Sequence, residues 1–419
     1  MKRLVLPLLA LALAHPAAAR TPEEVAAAAL KAAPVWDGHN DVGEQLRDRR
    51  GDVLAGFDFN DTTHEPDGKG GTSAMQTDLA RLAKGHIGAE FWSVFVTSEQ
   101  PEPNATVATL EQIDTMKRLI ARYPDRLQLA LSSADVERAM KAGKVASLLG
   151  IEGGHSIDNS LGVLRQMYAL GARYMTLAHF RNNAWADSAN DDPKHDGLTD
   201  FGKDVVREMQ RIGMLVDLAH VSEATMNDAL DVAKAPVMFS HSGARGVVDV
   251  SRNVPDAVLR RVKANGGIVM AIAYPSYLSE ALRQWGATRA GEEAREKVLY
   301  PGDPGRVRNG LAAWDSAHPA PKATIGQMAD QIDHLKAVAG IDHIGLGGDY
   351  DGMLTGPQGM EDVSGYPALF VELARRGYTQ EELEKIASRN MMRVLKAAEA
   401  YAAEHRGDPP IEYPVGKTG

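Results

Sequence analysis

The chain has 419 residues and no cysteine among them. That excludes a thiolate nucleophile, thiolate metal ligands, disulfide staples and a lipid-modified cysteine. Any metal ion must therefore be held by histidine and carboxylate. No G-x-G-x-x-G or G-x-x-x-x-G-K-[ST] motif follows an apolar run, so no loop is marked out to cradle phosphate. The G-x-S-x-G motif of serine hydrolases is also missing. Basic and acidic residues are interspersed, 46 against 56, for a net charge of −10. Without a basic stripe, nucleic acid is not an expected partner. No apolar stretch approaches the roughly 20 residues that span a bilayer. The C-terminal EYPVGKTG is too short and polar for a lipid-anchor signal.

What is present begins with an export signature. Lys2 and Arg3 precede an apolar stretch over 4–14, and Ala17-Ala18-Ala19 offers a small-residue cleavage site. Residues 1–19 thus have the form of a signal peptide. The mature chain is expected to begin near Arg20, in the periplasm or outside the cell, with no stable membrane anchor. With 44% hydrophobic and 24% charged residues the remainder reads as ordinary globular protein. Residues 20–419 are expected to form a single catalytic domain, since no linker or low-complexity tract divides them.

Eight short apolar runs recur along the chain. They are PVWDGHND (34–41), HIGAEFWSVFV (86–96), KVASLLGIEGG (144–154), RYMTLAHF (173–180), GMLVDLAHVS (213–222), APVMFSHS (235–242), GGIVMAIAY (266–274) and DHIGLGGDYDG (342–352). Most are nearly continuous rather than alternating, as parallel strands buried on both faces require. Amphipathic segments such as SLGVLRQMYALGA and FGKDVVREMQRIG lie between them, several stopping at glycine. Thr21 with Glu24, Thr324 with Gln327 and Thr379 with Glu382 read as helix starts. Eight strands alternating with helices predict an α/β fold, a distorted (β/α)8 TIM barrel, rather than an open doubly wound sheet. Two long loops, 181–199 and 275–323, interrupt the spacing and are expected to shape the site.

Reactive residues collect at the C-terminal ends of these runs: His39 and Asp41, Glu152, His179, His220, His241, then Asp349 and Asp351. A barrel brings those ends to one mouth, where catalytic sites sit. His39 and Asp41 are two apart on a strand, so they share a face and can grip one cation. Glu152 ends a buried run, where a lone charge is costly unless paired or metal-bound, and its two oxygens can bridge two cations. His220 and His241 complete a set able to hold two zinc ions. Such a pair polarises a carbonyl and generates hydroxide near neutral pH, so no side-chain nucleophile is needed. Ligand chemistry alone leaves manganese and cobalt open beside zinc.

The ordered motifs DGHND, GIEGGHSI, LAHFRNNAWADS, DLAHVS, FSHSGAR, SRNVPD and GLGGDYDG resemble those of the membrane dipeptidases, from about Val35 to the helix after residue 379. The resemblance implies a metal-dependent hydrolase barrel of amidohydrolase type, two zinc ions with Glu152 bridging, and hydrolysis of dipeptides. It implies His39, Asp41, Glu152, His220 and His241 as metal ligands. His179 would bind substrate and stabilise the oxyanion, Arg252 would receive the substrate's terminal carboxylate, and Asp349 would be the acid/base. Asp349 is preferred to Asp351 because the strand reaches it directly. A non-covalent homodimer is compatible with the resemblance. Two alternatives stay open: an amidohydrolase acting on a β-lactam or an N-acyl amino acid, and a binding protein on an inactive barrel. The loop that holds Trp185 and Asp187 is expected to wall the pocket, Tyr274 and Tyr277 to be packing aromatics in preference to facing the site, and His155 to support the site from behind.

Overall fold

Each of the eight apolar runs forms a strand in the computed structural model, which describes residues 20–100 and 102–414. The expected signal peptide, residues 1–19, lies outside the described residues. The strands are β1 Val35–Asn40, β2 Ile87–Phe95, β3 Val145–Glu152, β4 Ala172–Thr176, β5 Leu215–Asp217, β6 Met238–Ser242, β7 Ile268–Ala271 and β8 Ile344–Leu346. Their order is β2-β1-β8-β7-β6-β5-β4-β3, all parallel, and a β2–β3 pairing closes the ring. Every residue of β1 and β3 is buried, which accounts for their unbroken apolar character. The barrel is distorted as expected. A short extra strand, Leu127–Leu129, pairs with the start of β3, and a small hairpin joins Glu65–Pro66 to Thr72–Ser73.

Helices separate the strands where the pattern placed them. Thr21, Thr324 and Thr379 each cap a helix through the reciprocal arrangement read from sequence. Gly213 and Gly266 end two helices at φ 86 and 80, a left-handed turn that a side chain would strain. The closing helix departs from regularity. It runs Gln380–Glu384, passes through a π turn at Lys385–Arg389, and continues over Asn390–Glu404. Among the described residues no helix is long and apolar enough to cross a membrane.

The interior is filled by large side chains from different strands. Trp36, Phe91, Leu148, Tyr174, Met238 and Met270 belong to one buried cluster. Tyr174 fits there because Gly150 on the neighbouring strand leaves its ring room; a Cβ at Gly150 would come within 2.0–2.5 Å of three atoms of that ring. Gly150→Ala is expected to cost about 1–3 kcal/mol through overpacking. Calorimetry should show a lowered unfolding midpoint, whereas an unchanged midpoint would mean that Tyr174 moves aside freely.

The two long connections differ. Residues 181–199 contain no helix or strand, and Asp187 ties them by accepting from the backbone of His195 and Gly197. Residues 275–323 fold into helices Pro275–Leu278, Glu280–Leu299 and Pro304–Ala317. The latter two pack through Trp285 and Trp314, ring centroids 5.8 Å apart.

Candidate active site

The barrel brings seven of the sequence-selected residues, and Arg252 with them, to one mouth. His39, Glu152 and His241 lie within β1, β3 and β6, while Asp41, His179, His220 and Asp349 lie just beyond their strands. His220 and Asp349 adopt φ 67 and 65. That backbone is uncommon for residues other than glycine and tends to occur where geometry serves a site.

Glu152 is at the centre. Its Oε2 is 3.5 Å from His39 Nε2, which is 3.3 Å from Asp41 Oδ1. Its Oε1 is 3.0 Å from His220 Nε2 and 3.5 Å from His241 Nε2. Two donor groups thus meet on the two oxygens of one carboxylate: His39, Asp41 and Glu152 on one side, Glu152, His220 and His241 on the other. Asp349 comes close enough to His39 and His241 to join a third such group.

Neighbours orient the imidazoles. The Tyr174 hydroxyl lies 2.8 Å from His39 Nδ1. Ser240 Oγ lies 2.8 Å from His241 Nδ1, and Ser240 donates at 2.7 Å to Asp217, which also accepts from Thr176. With the far nitrogens engaged, Nε2 is the atom turned inward. Sequence reading missed this support. Tyr174 and Asp217 were visible only as members of apolar runs, and Ser240 as the residue preceding a candidate ligand.

The electrostatics suit a cation. Burial holds the His220 and His241 imidazoles well below their usual range, so they stay neutral. Burial opposes charge on Glu152, but His39, His179 and the His220 contact outweigh it and hold its carboxyl well below the ordinary value. Burial also opposes charge on His39, yet Tyr174, Asp41 and Glu152 draw a proton onto it. His39 Nε2 and Asp41 Oδ1 are buried without a hydrogen-bond partner. The neutral imidazoles of His220 and His241, the ionised Glu152 and the orphaned atoms of His39 and Asp41, converging on the same points, fit divalent metal ions.

A pocket of about 160 Å³ opens above the cluster. Asp41, Glu152, His179, His220, Arg252 and Asp349 face it. Burial pushes His179 down to about 4, so it is neutral, and its Nε2 lies 3.7 Å from Glu152. Arg252 is fully buried and donates to Ser242 Oγ at 2.8 Å and to the His241 carbonyl at 2.9 Å. Its Nε has no partner, and no carboxylate among the described residues forms an ion pair with it. Burial, and after it the Asp41 carboxylate, push Asp349 well above the usual range. Asp351 turns elsewhere, accepting from the Gln76 backbone at 2.7 Å, so it stays outside the pocket.

Two expectations need correction. The loop that holds Trp185 and Asp187 does not wall the pocket. Trp185 is buried against Phe201 and Asp187 binds its own loop; Phe180, just before the loop, takes that place. Tyr274 and Tyr277 are not merely packing aromatics, because the path after β7 brings both to the pocket wall. Phe95 and Glu44 also line it and went unnoticed. Glu44 lies one helical turn after Asp41, a spacing from which it could have been found. His155 stays behind the site, its Nε2 3.1 Å from the Val96 carbonyl.

A closed parallel barrel with histidines and carboxylates grouped around one bridging position defines a hydrolase of the metal-dependent barrel class. The chain matches the membrane dipeptidase family, peptidase family M19, over residues 23–408, and it belongs to that family. It is thus an enzyme acting on peptide bonds. It is 40% identical over 407 residues to an uncharacterized dipeptidase of Schizosaccharomyces pombe, covering 94% of this chain and 87% of that one. It is 37% identical to human dipeptidase 3 over 399 residues, 94% of this chain and 71% of the relative. Among solved structures, the fold is similar to that of a probable dipeptidase from Pseudomonas aeruginosa. The TM-score is 0.76 at 23% identity, covering 91% of this chain and 99% of that one. A metallo peptidase from Rhodobacter sphaeroides, liganded with a phosphinate mimic of L-Ala-D-Ala, matches with TM-score 0.70 at 22% identity over 87% and 99% of the two chains.

Proposed function

We propose that the chain is a dizinc dipeptidase in which His39, Asp41, Glu152, His220 and His241 hold the metal ions and Glu152 bridges them. The observation that carries this reading is the division of donors between the two oxygens of Glu152. Held by these residues, divalent cations would polarise the scissile carbonyl and would make a bound water acidic enough to attack at neutral pH. Arg252 receives the substrate's C-terminal carboxylate, supported by its burial without an acidic partner. His179, neutral and facing the pocket, donates to the oxygen on which charge develops. Asp349 takes a proton from the attacking water and passes it to the leaving amine, a role supported by its place in the pocket beside His39 and His241. The dipeptide mimic bound by the Rhodobacter relative supports the same substrate class. Export to the periplasm or beyond rests on the N-terminal sequence, and a non-covalent homodimer on resemblance alone.

Dialysis against a chelator should abolish hydrolysis of Ala-Ala and other dipeptides, and zinc should restore it with two ions per chain. Hydrolysis that persists without metal would refute the reading. Full activity at one ion per chain would remove the bridge. A panel including a β-lactam and an N-acyl amino acid separates dipeptide hydrolysis from other amide hydrolysis.

A further inference from the structure

Beside the catalytic pocket lies a second cavity of about 550 Å³. Leu282 and Trp285 from helix Glu280–Leu299, Pro321, and Met353 with Leu354 after β8 supply apolar walls. Tyr274 lines both cavities, and Met353 directly follows Gly352, which borders the catalytic pocket. The two spaces therefore share a wall at the barrel mouth. Leu354 is fully exposed and Trp285 is half-buried, so apolar surface is left open there. The wall is a built one: Trp285 Nε1 donates to the His318 carbonyl at 2.8 Å and the indole packs on Trp314.

Position decides which end of a substrate faces this cavity. On the reading above, Arg252 and Asp349 serve the leaving C-terminal residue, one at its carboxylate and one at its amine. The Arg252 guanidinium lies 5.9 Å from the Tyr277 ring, and Tyr277 stacks on Tyr274 at 4.7 Å. On that reading Tyr274 lies on the leaving residue's side of the pocket, and it also lines the apolar cavity. Phe95 and Phe180 flank His179 at 4.7 and 4.1 Å and line the catalytic pocket but not the second cavity, so on that reading they face the other end of the substrate. A catalytic pocket of about 160 Å³ is smaller than ligand sites usually are, whereas the second cavity falls within their ordinary range of about 300–1,000 Å³.

We infer that this cavity is a subsite for a large apolar side chain on the C-terminal residue of the substrate, which makes the enzyme selective for dipeptides such as Ala-Phe and Ala-Leu over Ala-Ala. The inference rests on the proposed roles of Arg252 and Asp349. Hydrophobic pockets discriminate by roughly 10- to 200-fold. Accordingly, kcat/KM for Ala-Phe should exceed that for Ala-Ala by about tenfold or more. The ratio should collapse towards one in Trp285→Ala and in Leu282→Asp, the latter placing a charge in the cavity without removing the indole. A ratio near one in the wild-type holoenzyme, or an unchanged ratio in both variants, would overturn the inference. So would loss of selectivity for Phe-Ala rather than Ala-Phe. Should Leu282→Asp instead break a dimer in sedimentation while the ratio holds, the cavity is covered by a second copy and the inference fails. If wild-type enzyme cleaves none of these peptides, it is the dipeptidase reading that falls.

Discussion

Glu152→Ala is expected to lower dipeptide turnover by on the order of a thousandfold or more, since each lost metal-ion contribution is worth several kcal/mol. The bound metal should fall with it. Removing the carboxylate leaves His39 with Asp41 on one side and His220 with His241 on the other, each short of its common third donor. The same carboxylate lies 3.5 Å from His39 Nε2 and 3.0 Å from His220 Nε2, so its loss also disturbs both imidazoles. Glu152→Gln separates charge from shape. The amide fills the same space at the end of β3 but turns one oxygen into a donor, facing either His39 or His220. Its activity should therefore stay within about tenfold of the alanine variant. Elemental analysis and circular dichroism on both variants distinguish metal loss from unfolding. A folded Glu152→Gln enzyme with two metal ions and near-normal turnover would sink the bridging assignment.

The parts of this site legible in the sequence share one physical cause. A strand buried on both faces must be apolar along its length, so all eight runs stand out. A polar residue ending such a run must have a reason to be there. His39, Glu152 and His241 announce themselves in that way. Where the chain leaves regular pairing, legibility fades. β4, β5 and β8 end before His179, His220 and Asp349, and the left-handed backbone at His220 and Asp349 carries no glycine to mark it. The oriented support is less legible still. Tyr174 reaches His39 only because Gly150, on another strand, leaves a hole for its ring. That relation is set by register across the sheet and has no local sequence signature. Trp185 illustrates the opposite error. Its loop is long and polar and reads as a pocket wall, yet Gly154 and Phe201 give the indole a buried place.

Arg252→Met is expected to reduce kcat/KM for dipeptides by roughly 30-fold to several thousandfold, the range for removing one member of a buried, hydrogen-bonded charge pair at about 2–5 kcal/mol. The guanidinium spends two donors on Ser242 and the His241 carbonyl, which fix its plane, and keeps Nε free of protein partners. A buried cation without a carboxylate partner is stable only if something supplies the opposite charge. The terminal carboxylate of a dipeptide does so, and its two oxygens match the planar fork of arginine better than they match an ammonium. Arg252→Lys should consequently recover only part of the loss. A dipeptide amide provides the control. It lacks the charge, so wild-type enzyme should handle it poorly, and Arg252→Met should lower its turnover far less than that of the free acid. The ratio of the two losses is the decisive measurement, because a variant that merely disturbs the fold, or shifts His241 through its carbonyl, would lower both substrates alike. Equal losses would remove Arg252 from carboxylate recognition and leave it as a clamp on the end of β6, which carries His241.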